Sequence, residues 1–431
     1  MSDIFGIAKS GLQAYRESLA TTGQNIANVG NENYARREVN LTEIRAGSAD
    51  VLAVSPNTSY GVKVDGITRA FDQFIDLQLQ NASSGLSFAT SQTLILEKLE
   101  QVLRPSDTTV STKLNDFFAS LSTVSQDPSD LAARNIAVDA GRSLVSAVKS
   151  AANGINDLRG LVSDTLSGNI ADFNNTLELL SGVQAEILGN SSPKNTPNSL
   201  LDQRDGYLKN LSELADISVE YFQNGSVKVS LGTTGQGQSV IDGLEQKKLT
   251  QQTENEITNI FLAGNKNNFL SKVQIQSGEI AGNLAADVTL TSTKKSLDDL
   301  TKALVREFNE VHRFGVDLSG DQGADFFKLD AVEIIKTSPR GSTAELRVGG
   351  NLNELMGESL VLKYDAKSEL WSLSKETGEV LKEFQASTEI DGVLFSIEGR
   401  ANLGDTFSLK FTNGYSEHLS MEISDEKKIA A

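Results

Sequence analysis

The sequence SDIFGIAKSGLQAYRESLATTGQNIANVG, residues 2–30, decides how the chain is organised. Placed on one helix, its apolar and small residues recur at alternating steps of three and four positions, which is a heptad repeat. The resulting stripe, called here the N-terminal seam, consists of Phe5, Ala8, Leu12, Tyr15, Leu19, Thr22, Ile26 and Val29. Ser2 or Asp3 is suited to cap the start of this helix, and Gly30 is suited to end it.

The N-terminal seam needs a partner, because a lone helix gains too little from its own hydrogen bonds to be stable. A helix of this length is roughly 40 Å long. Its partner could come from this chain, from a sister copy or from a different subunit. Periodicity alone favours the inward face of an intramolecular bundle. A membrane-surface helix is disfavoured, because the polar face carries too few cations.

Composition excludes several classes of protein. The 431 residues allow two to four domains, and the net charge of −18 argues against binding to nucleic acid or to anionic membranes. No apolar run is long enough to span a bilayer, and the N-terminus lacks a secretory signal peptide, which by itself would indicate a cytoplasmic protein. The chain has no cysteine, so disulfides, thiolate metal sites and cysteine nucleophiles are excluded.

A resemblance changes the expected location. The residues Ser10-Gly11-Leu12-Gln13-Ala14, Leu19, Asn25-Ile26-Ala27-Asn28 and Tyr34-Ala35-Arg36 resemble the N-terminal signature of bacterial flagellar axial proteins. The resemblance implies a segment that is unstructured before assembly and then forms a coiled coil lining the flagellar channel. It also implies type III export without a cleaved signal, and an extracellular location in the flagellum. The assembly interface expected from it comprises Phe5, Leu12, Tyr15, Leu19, Asn25, Ile26, Asn28 and Tyr34.

A second motif indicates which group of subunits within that family the chain resembles. Leu201-Asp202-Gln203-Arg204-Asp205 is similar to a motif of the hook-associated subunits that form the junction between hook and filament. Asp127-Pro128-Ser129 and the block from Glu307 to His312 resemble the same subunits. The implied partners are sister subunits in a ring, the hook protein, an adjacent hook-associated or filament protein, and an export chaperone. The alternatives are a hook or flagellin-like subunit, and a cell-surface adhesin or hydrolase.

The pattern of elements predicts an α+β multidomain fold. We expect a coiled-coil-type helix and an irregular connector over residues 1–66, and an elongated long-helix bundle over 67–327. This bundle carries β hairpins at about 216–290, where Asn224-Gly225 separates two alternating runs. A small, mostly-β outer domain is predicted for 328–425, in which Leu362 and Tyr364 face Leu373 and Trp371.

The end of the chain departs from the family pattern. Flagellar axial proteins end in a second heptad helix that pairs with the first, and nothing after Met421 has that periodicity. We therefore expect the C-terminal partner helix to be absent from this polypeptide, together with the usual binding site of the export chaperone.

The residues that could carry catalysis or bind a ligand are better explained by structural roles. Asp202 and Asp205 could form an acid–base pair or a metal clamp, but no other carboxylate or histidine motif accompanies them, so helix entry and ion pairing are preferred. The glycine-rich segment 232–237 lacks the Lys-Ser/Thr ending of a phosphate loop, and we interpret it as a loop between strands.

Two further candidates are also weak. Asp317, Ser319, Asp321 and Asp325 resemble a calcium loop only superficially, since the glycine spacing is wrong and no glutamate closes it. The two histidines, His312 and His418, are expected in surface or interface packing. The sequence thus predicts a protein that is not an enzyme, with no catalytic, cofactor-binding or metal-binding residue.

Overall fold

The computed structural model describes residues 2–45, 59–104, 107–189, 197–254, 257–263, 270–329, 332–338, 342–350, 359–390, 393–411 and 414–431. Helices and small sheets alternate in these parts, so the fold is α+β and multidomain. The helices are α1 (Ser2–Ala27), α2 (Gln73–Leu103), α3 (Val110–Gln126), α4 (Leu131–Gly189), α5 (Asn198–Leu214), α6 (Gly278–Phe314) and α7 (Tyr415–His418). None of the helices described is apolar over a stretch that would cross a bilayer.

The chain forms two compact units. Unit 1 comprises Met1–Leu96 and Leu161–Val288, and unit 2 comprises Glu97–Gly160 and Thr289–Ala431. This division differs from the predicted boundaries of 1–66, 67–327 and 328–425. The reason is that α2, α4 and α6 are long enough to supply residues to both units, which hydrophobic periodicity along a single helix does not reveal.

Unit 1 has one hydrophobic core between α4, α5 and two antiparallel sheets. Its sheets have the strand orders β3-β4-β5-β6 and β7-β8-β9. These strands are β3 (Ile217–Tyr221), β4 (Val227–Leu231), β5 (Ser239–Asp242), β6 (Glu245–Gln246), β7 (Lys248–Glu254), β8 (Ile257–Ala263) and β9 (Leu270–Val273). The predicted Asn224-Gly225 hairpin is confirmed, with Tyr221 paired to Val227 and Gly225 at φ +82°.

A long β hairpin stands where the sequence predicted an irregular connector. Its strands are β1 (Arg37–Arg45) and β2 (Ser59–Arg69), which pair from Arg37 opposite Arg69 to Arg45 opposite Ser59. The predicted irregular connector thus contains two long strands, whose alternation was obscured by the loop-forming residues around them. We call the strands β1 and β2 the N-terminal hairpin.

Unit 2 contains a helical core with an aromatic centre. Phe117 of α3 lies within 5.2–5.5 Å, between ring centroids, of Phe308, Phe326 and Phe327. The last residues of the chain belong to this core, since Tyr415, Leu419, Ile423 and Ile429 are buried in it. Strand β19 (Leu419–Met421) pairs there with β10 (Phe327–Leu329).

A separate β core, called here the β module, lies within residues 332–411 of unit 2. Its sheets have the orders β11-β18-β13-β14-β15 and β12-β17-β16. The strands are β11 (Val332–Thr337), β12 (Glu345–Gly350), β13 (Ser359–Asp365), β14 (Leu370–Lys375), β15 (Val380–Phe384), β16 (Ser387–Ile390), β17 (Val393–Glu398) and β18 (Thr406–Phe411). The predicted pairs Leu362–Leu373 and Tyr364–Trp371 are confirmed. The predicted end at residue 425 is wrong, because residues 415–429 pack in the helical core instead.

Candidate functional site

The N-terminal seam lies on the outside of α1. The side chains of Leu12, Tyr15 and Leu19 are 74–78% exposed, and those of Phe5 and Ile26 are 76% and 69% exposed. Large apolar side chains in this number are rarely left in water along one stripe unless the stripe has a binding function. Among the residues that the structure describes, the intramolecular bundle that periodicity alone favoured does not cover this face of α1.

The opposite face of α1 packs on the N-terminal hairpin through small side chains. Ala14 and Thr21 are 2% and 4% exposed, and the Ser10 Oγ accepts a hydrogen bond of 3.2 Å from the Val62 N–H. Gly61 has φ +116°, and a Cβ there would lie only 2.2 Å from the Ser10 Oγ. The helix can approach the hairpin this closely because neither surface carries a bulky group at the contact.

Hydrogen bonds of Asn25 and Tyr34 connect the end of α1 to the start of β1. The Asn25 Oδ1 accepts hydrogen bonds of 2.9 Å from the Tyr34 hydroxyl and from the Arg37 N–H. The Asn25 Nδ2 donates to the Arg37 carbonyl, also at 2.9 Å. Asn28 donates to the Gln24 carbonyl of the preceding turn. These polar members of the expected interface thus shape the turn that follows α1, whereas the apolar members form the exposed seam.

The motif on α5 holds the base of the N-terminal hairpin. Arg69, the last residue of β2, places its Nε 2.7 Å from the Asp202 Oδ1 and its Nη2 2.6 Å from the Asp205 Oδ2. Arg37, the first residue of β1, lies 3.3 Å from the Asp202 Oδ2. Arg204 donates to the Asp205 Oδ1 at 2.6 and 2.8 Å. We call Arg37, Arg69, Asp202, Arg204 and Asp205 the arginine–aspartate network.

This network is buried and extends to a second layer of polar groups. The Arg204 Nη1 donates to the Gly225 carbonyl at 2.6 Å, and its guanidinium lies 5.0 Å from the centre of the Tyr221 ring. The Tyr221 hydroxyl donates to Asp76 at 2.9 Å. Burial raises the pKa of Asp76 and of Tyr221. Ion pairs with such low exposure are stable only when each charge has a partner, and each arginine of the network contacts Asp202 or Asp205.

The remaining residues of the α5 motif occupy different environments. Leu201 is half-buried, and Gln203 is exposed and lines a cleft with Gln24, Asn28 and Tyr34. The preferred reading of Asp202 and Asp205, as ion pairs at the start of a helix, therefore fits the structure. What sequence reasoning missed is their partners, since the alternation of β1 and β2 gives no sign that the terminal arginines point towards a helix more than 130 residues away.

The other candidate sites have structural explanations. The segment 232–237 connects β4 to β5, with Gly232 and Gly235 at positive φ. The Asp317 Oδ1 accepts from the N–H groups of Ser319 and Asp321, and Asp325 pairs with Arg313 at 2.6 Å. Within the described residues, no group of three or more acidic or histidine side chains is arranged to hold a metal ion.

His312, for which the sequence predicted surface or interface packing, lies inside unit 2. It is 5% exposed, and its Nδ1 lies 2.6 Å from the Ala324 carbonyl. Its Nε2 accepts a hydrogen bond of 2.8 Å from the Ala430 N–H. This pattern requires the neutral ring with its proton on Nδ1. Burial lowers the pKa of His312, and the ring serves to fix the final residues of the chain.

Comparison with known proteins places the chain in a recognisable group. The family model of the flagellar hook-associated protein FlgK helical domain matches residues 96–327, which is more than half of the chain. Flagellar hook-associated protein 1 of Escherichia coli is 26% identical over the whole chain, which covers 79% of that protein. The protein of the same name from Bacillus subtilis is 25% identical over 82% of the chain and 75% of its own length.

A solved structure agrees with these relatives. The flagellar hook junction protein FlgK from Burkholderia pseudomallei is 25% identical, and it matches with a TM-score of 0.58. The match covers 82% of this chain and 66% of that protein.

Proposed function

Because the chain belongs to the family of the flagellar hook-associated protein FlgK, we propose that it is a structural subunit of the bacterial flagellum at the junction between hook and filament. We further propose that it assembles there by coiled-coil packing of its N-terminal seam. The observation that carries this proposal is the exposure of Leu12, Tyr15 and Leu19 on a helix whose other face is already fixed to the same chain. Packing against neighbouring subunits would remove these side chains from water.

The energy available from that packing is substantial. Burying a large apolar side chain completely stabilises a contact by roughly 1.5–3 kcal/mol. Phe5, Leu12, Tyr15, Leu19 and Ile26 are each 69–78% exposed, so most of their apolar surface remains to be buried. This gain is smaller than the cost of ordering all of α1 from an unfolded chain, which is roughly 1–2 kcal/mol per residue. The contact of α1 with the N-terminal hairpin offsets part of that cost before assembly.

The N-terminal hairpin and the arginine–aspartate network give this helix a defined support. The network fixes both ends of the hairpin base to α5, and the hairpin holds α1 by its small-residue face. In this proposal neither Asp202 nor Asp205 is catalytic. Asp202→Asn should therefore abolish no enzymatic activity, and loss of an activity would reopen the hydrolase alternative.

The proposed partners are those that the family resemblance implies. Sister subunits in a ring, the hook protein below and a hook-associated or filament protein above would cover the seam. Contacts between unlike surfaces of successive copies propagate a ring or tube instead of closing a small dimer. Export through the type III pathway without a cleaved signal, aided by a chaperone, completes the proposal.

The test is incorporation of seam variants at the hook tip in flagellated cells lacking the native protein. Leu12→Asp or Leu19→Asp should prevent incorporation, because an aspartate in the seam cannot be buried without a partner. The melting temperature of the purified chain should stay unchanged, since both side chains are exposed. Leu179→Asp, an equally drastic change at a leucine that is 54% exposed on α4, is the matched control and should incorporate normally. A normal hook–filament junction built from Leu19→Asp would refute the proposal.

The rival functions have less support. A hook or flagellin-like subunit would assemble by similar packing, but the family model that matches is that of the hook-associated protein. An adhesin or hydrolase would need a site of its own, and the carboxylates that first suggested one are engaged by arginines.

A further inference from the structure

A buried lysine in unit 2 lies where α4, α6 and α7 meet. Lys294 of α6 is 7% exposed, and its Nζ lies 2.9 Å from the Glu417 Oε1 of α7 and 3.4 Å from the Asp298 Oδ2. The Asn156 side chain of α4 donates a hydrogen bond from its Nδ2 to the same Glu417 Oε1. The lysine amine and the asparagine carboxamide are therefore separated by a single carboxylate oxygen. We call Asn156, Lys294 and Glu417 the lysine triad.

Asp298 fixes α7 against α6 and so determines where Glu417 lies. The Asp298 Oδ1 accepts hydrogen bonds from the N–H and from the hydroxyl of Ser416. Both residues are buried, with Asp298 6% and Ser416 0% exposed. Because Glu417 directly follows Ser416, these bonds hold the Glu417 carboxylate beside Lys294. The triad is thus positioned by groups outside it.

Ion pairing explains two members of the lysine triad but not the third. Lys294 already has one counter-charge in Asp298, one turn along the same helix. A carboxamide adds no charge to this cluster, yet Asn156 contacts the very oxygen that contacts the amine. Together the three side chains supply an amine nucleophile, a carboxamide carbon for it to attack, and a carboxylate that can carry protons between them.

The surroundings favour a reaction between these groups. Ala152 and Leu290, one helical turn before Asn156 and Lys294, are 0% exposed, so the triad adjoins a dry part of the fold. Excluding water removes a competing nucleophile, and groups held in contact react as if they were highly concentrated. Burial acts to raise the pKa of Glu417, but hydrogen bonds from Lys294 and Asn156 outweigh it and lower that pKa. The resting side chain is therefore a carboxylate, the form that accepts a proton.

We propose that Lys294 and Asn156 form an intramolecular isopeptide bond, with Glu417 as the proton carrier. Glu417 takes a proton from the Lys294 ammonium, and the electron pair freed on Nζ attacks the Asn156 Cγ. As the Nζ–Cγ bond forms, two protons in all leave Nζ by way of Glu417 and pass to the Asn156 Nδ2. The Cγ–Nδ2 bond then breaks and Nδ2 departs as ammonium. The reaction exchanges one amide for another and consumes no other reactant.

The bond joins α4 to α6 where the chain passes between the two units. The chain leaves unit 2 after Gly160 and returns to it at Thr289, so residues 161–288 lie in the loop that the bond closes. Closing a long loop restricts the unfolded chain, which stabilises the fold. A chain without cysteine cannot do this with a disulfide. The bond forms within one chain and one unit, so it does not depend on the proposed function.

Mass spectrometry of the purified full chain tests the bond. The intact mass should be lower than the mass of the sequence by one molecule of ammonia. Trypsin should leave the chain uncleaved after Lys294, and the digest of the urea-unfolded protein should contain a branched peptide with the sequences around Asn156 and Lys294. Fragmentation of this peptide should locate the bond between these two side chains.

Three variants give the test its specificity. Lys294→Arg keeps the positive charge but supplies no amine, so it should have its full sequence mass and give no branched peptide. Glu417→Gln keeps a hydrogen-bonding side chain but cannot accept a proton, so its branched peptide should accumulate at least about a hundredfold more slowly. Lys302→Arg, at another lysine of α6, is the matched control and should keep the mass deficit of the native chain. Circular dichroism checks that each variant is folded.

Two results would overturn the proposal. A folded native chain that keeps its full sequence mass after prolonged incubation would mean that Asn156, Lys294 and Glu417 form an ion-pair cluster only. A mass deficit without the branched peptide would place the loss of ammonia elsewhere, for example in a succinimide at Asn153-Gly154 or Asn224-Gly225. Neither result would affect the proposed function, which concerns the N-terminal seam in unit 1.

Discussion

At the scale of single residues, the arginine–aspartate network connects distant parts of the sequence. Arg37 and Arg69 lie at opposite ends of the N-terminal hairpin sequence but at the same end of the folded hairpin. Both meet carboxylates of α5, of which Asp202 retains 11% and Asp205 12% side-chain exposure. The network therefore couples the support of α1 to the core of unit 1.

Removing one carboxylate should be costly, because it leaves a buried guanidinium without its counter-charge. We expect Asp205→Ala to lower the free energy of unfolding by about 3 kcal/mol, the lower end for a broken buried pair. Glu38→Ala breaks the pair with Arg36, in which both side chains are more than half exposed. This variant should change the free energy of unfolding by less than about 0.5 kcal/mol. Urea denaturation followed by circular dichroism measures both. Equal effects of the two variants would contradict the importance of the network.

A second residue-scale prediction concerns pH. Because the pKa of His312 is lowered in the folded protein, the unfolded chain takes up its proton first as the pH falls. The stability that the neutral ring contributes is complete above the unfolded pKa of about 6.5, and it is lost as the pH falls through the lowered value. Protonation also removes the lone pair that accepts from the Ala430 N–H.

The variant His312→Gln isolates this effect. We expect the free energy of unfolding of the native chain to decline more steeply between pH 7.5 and 5 than that of the variant. Carboxylates titrate in both proteins and cancel in the difference. Parallel pH profiles would show that His312 does not contribute in this way.

The residue scale also shows what the sequence could not reveal. The seam was predictable because Leu12, Tyr15 and Leu19 fall at heptad spacing, but periodicity alone favoured an intramolecular bundle, so its exposure was expected only from the axial-protein resemblance. The α5 motif was recognisable from five consecutive residues. The partners of that motif were not predictable, since Arg37 and Arg69 carry no local pattern and reach Asp202 only after the hairpin has formed. The burial of His312 was not predicted, because its contact with Ala430 depends on the fold of residues far along the chain.

At the scale of elements, α1 and the N-terminal hairpin form one piece. Their contact depends on small residues. It is closest at Gly61, which has a positive φ and lies directly against Ser10. Periodicity predicted the helix, but residues 31–66 are rich in asparagine, glycine and serine, and this composition concealed strands that are nine and eleven residues long.

Gly61→Ala should separate α1 from the hairpin. The added methyl group would meet the Ser10 Oγ at 2.2 Å, and a non-glycine residue at this φ costs about 1–3 kcal/mol. Hydrogen exchange of the α1 amides and protease cleavage within residues 2–30 should both become faster. Gly66→Ala, in the same strand with no atom within 4 Å of the added Cβ, should leave both rates near the native values. Equal protection in the two variants would mean that the hairpin does not hold α1.

At the scale of the whole molecule, the described parts of the chain form three hydrophobic cores. One lies in unit 1, and unit 2 contains the helical core and the β module. The sequence predicted the β module from alternation, but it could not assign residues 415–429 to the helical core, because Leu419 and Met421 alternate in the same way as the strands before them.

The single tryptophan makes the independence of these cores measurable. Trp371 is 2% exposed in the β module, so its fluorescence reports this core alone. We expect Leu373→Ala, a buried truncation costing about 2–5 kcal/mol, to lower the midpoint of the fluorescence transition in urea. The helical transition measured at 222 nm should stay in place. A common shift of both transitions would show that unit 2 unfolds as a single cooperative body.

The attachment of α1 at its base has a mechanical consequence. α1 and the N-terminal hairpin are anchored together to α5 through Arg37 and Arg69, and the far end of α1 is roughly 40 Å away, so small rotations at this anchor are magnified along the helix. A swing of about 8° would displace the tip by about 5.4 Å, which is one helical turn and enough to put a knob into the wrong hole. The rigidity of the buried ion pairs at this anchor therefore determines how far the angle between successive subunits can vary.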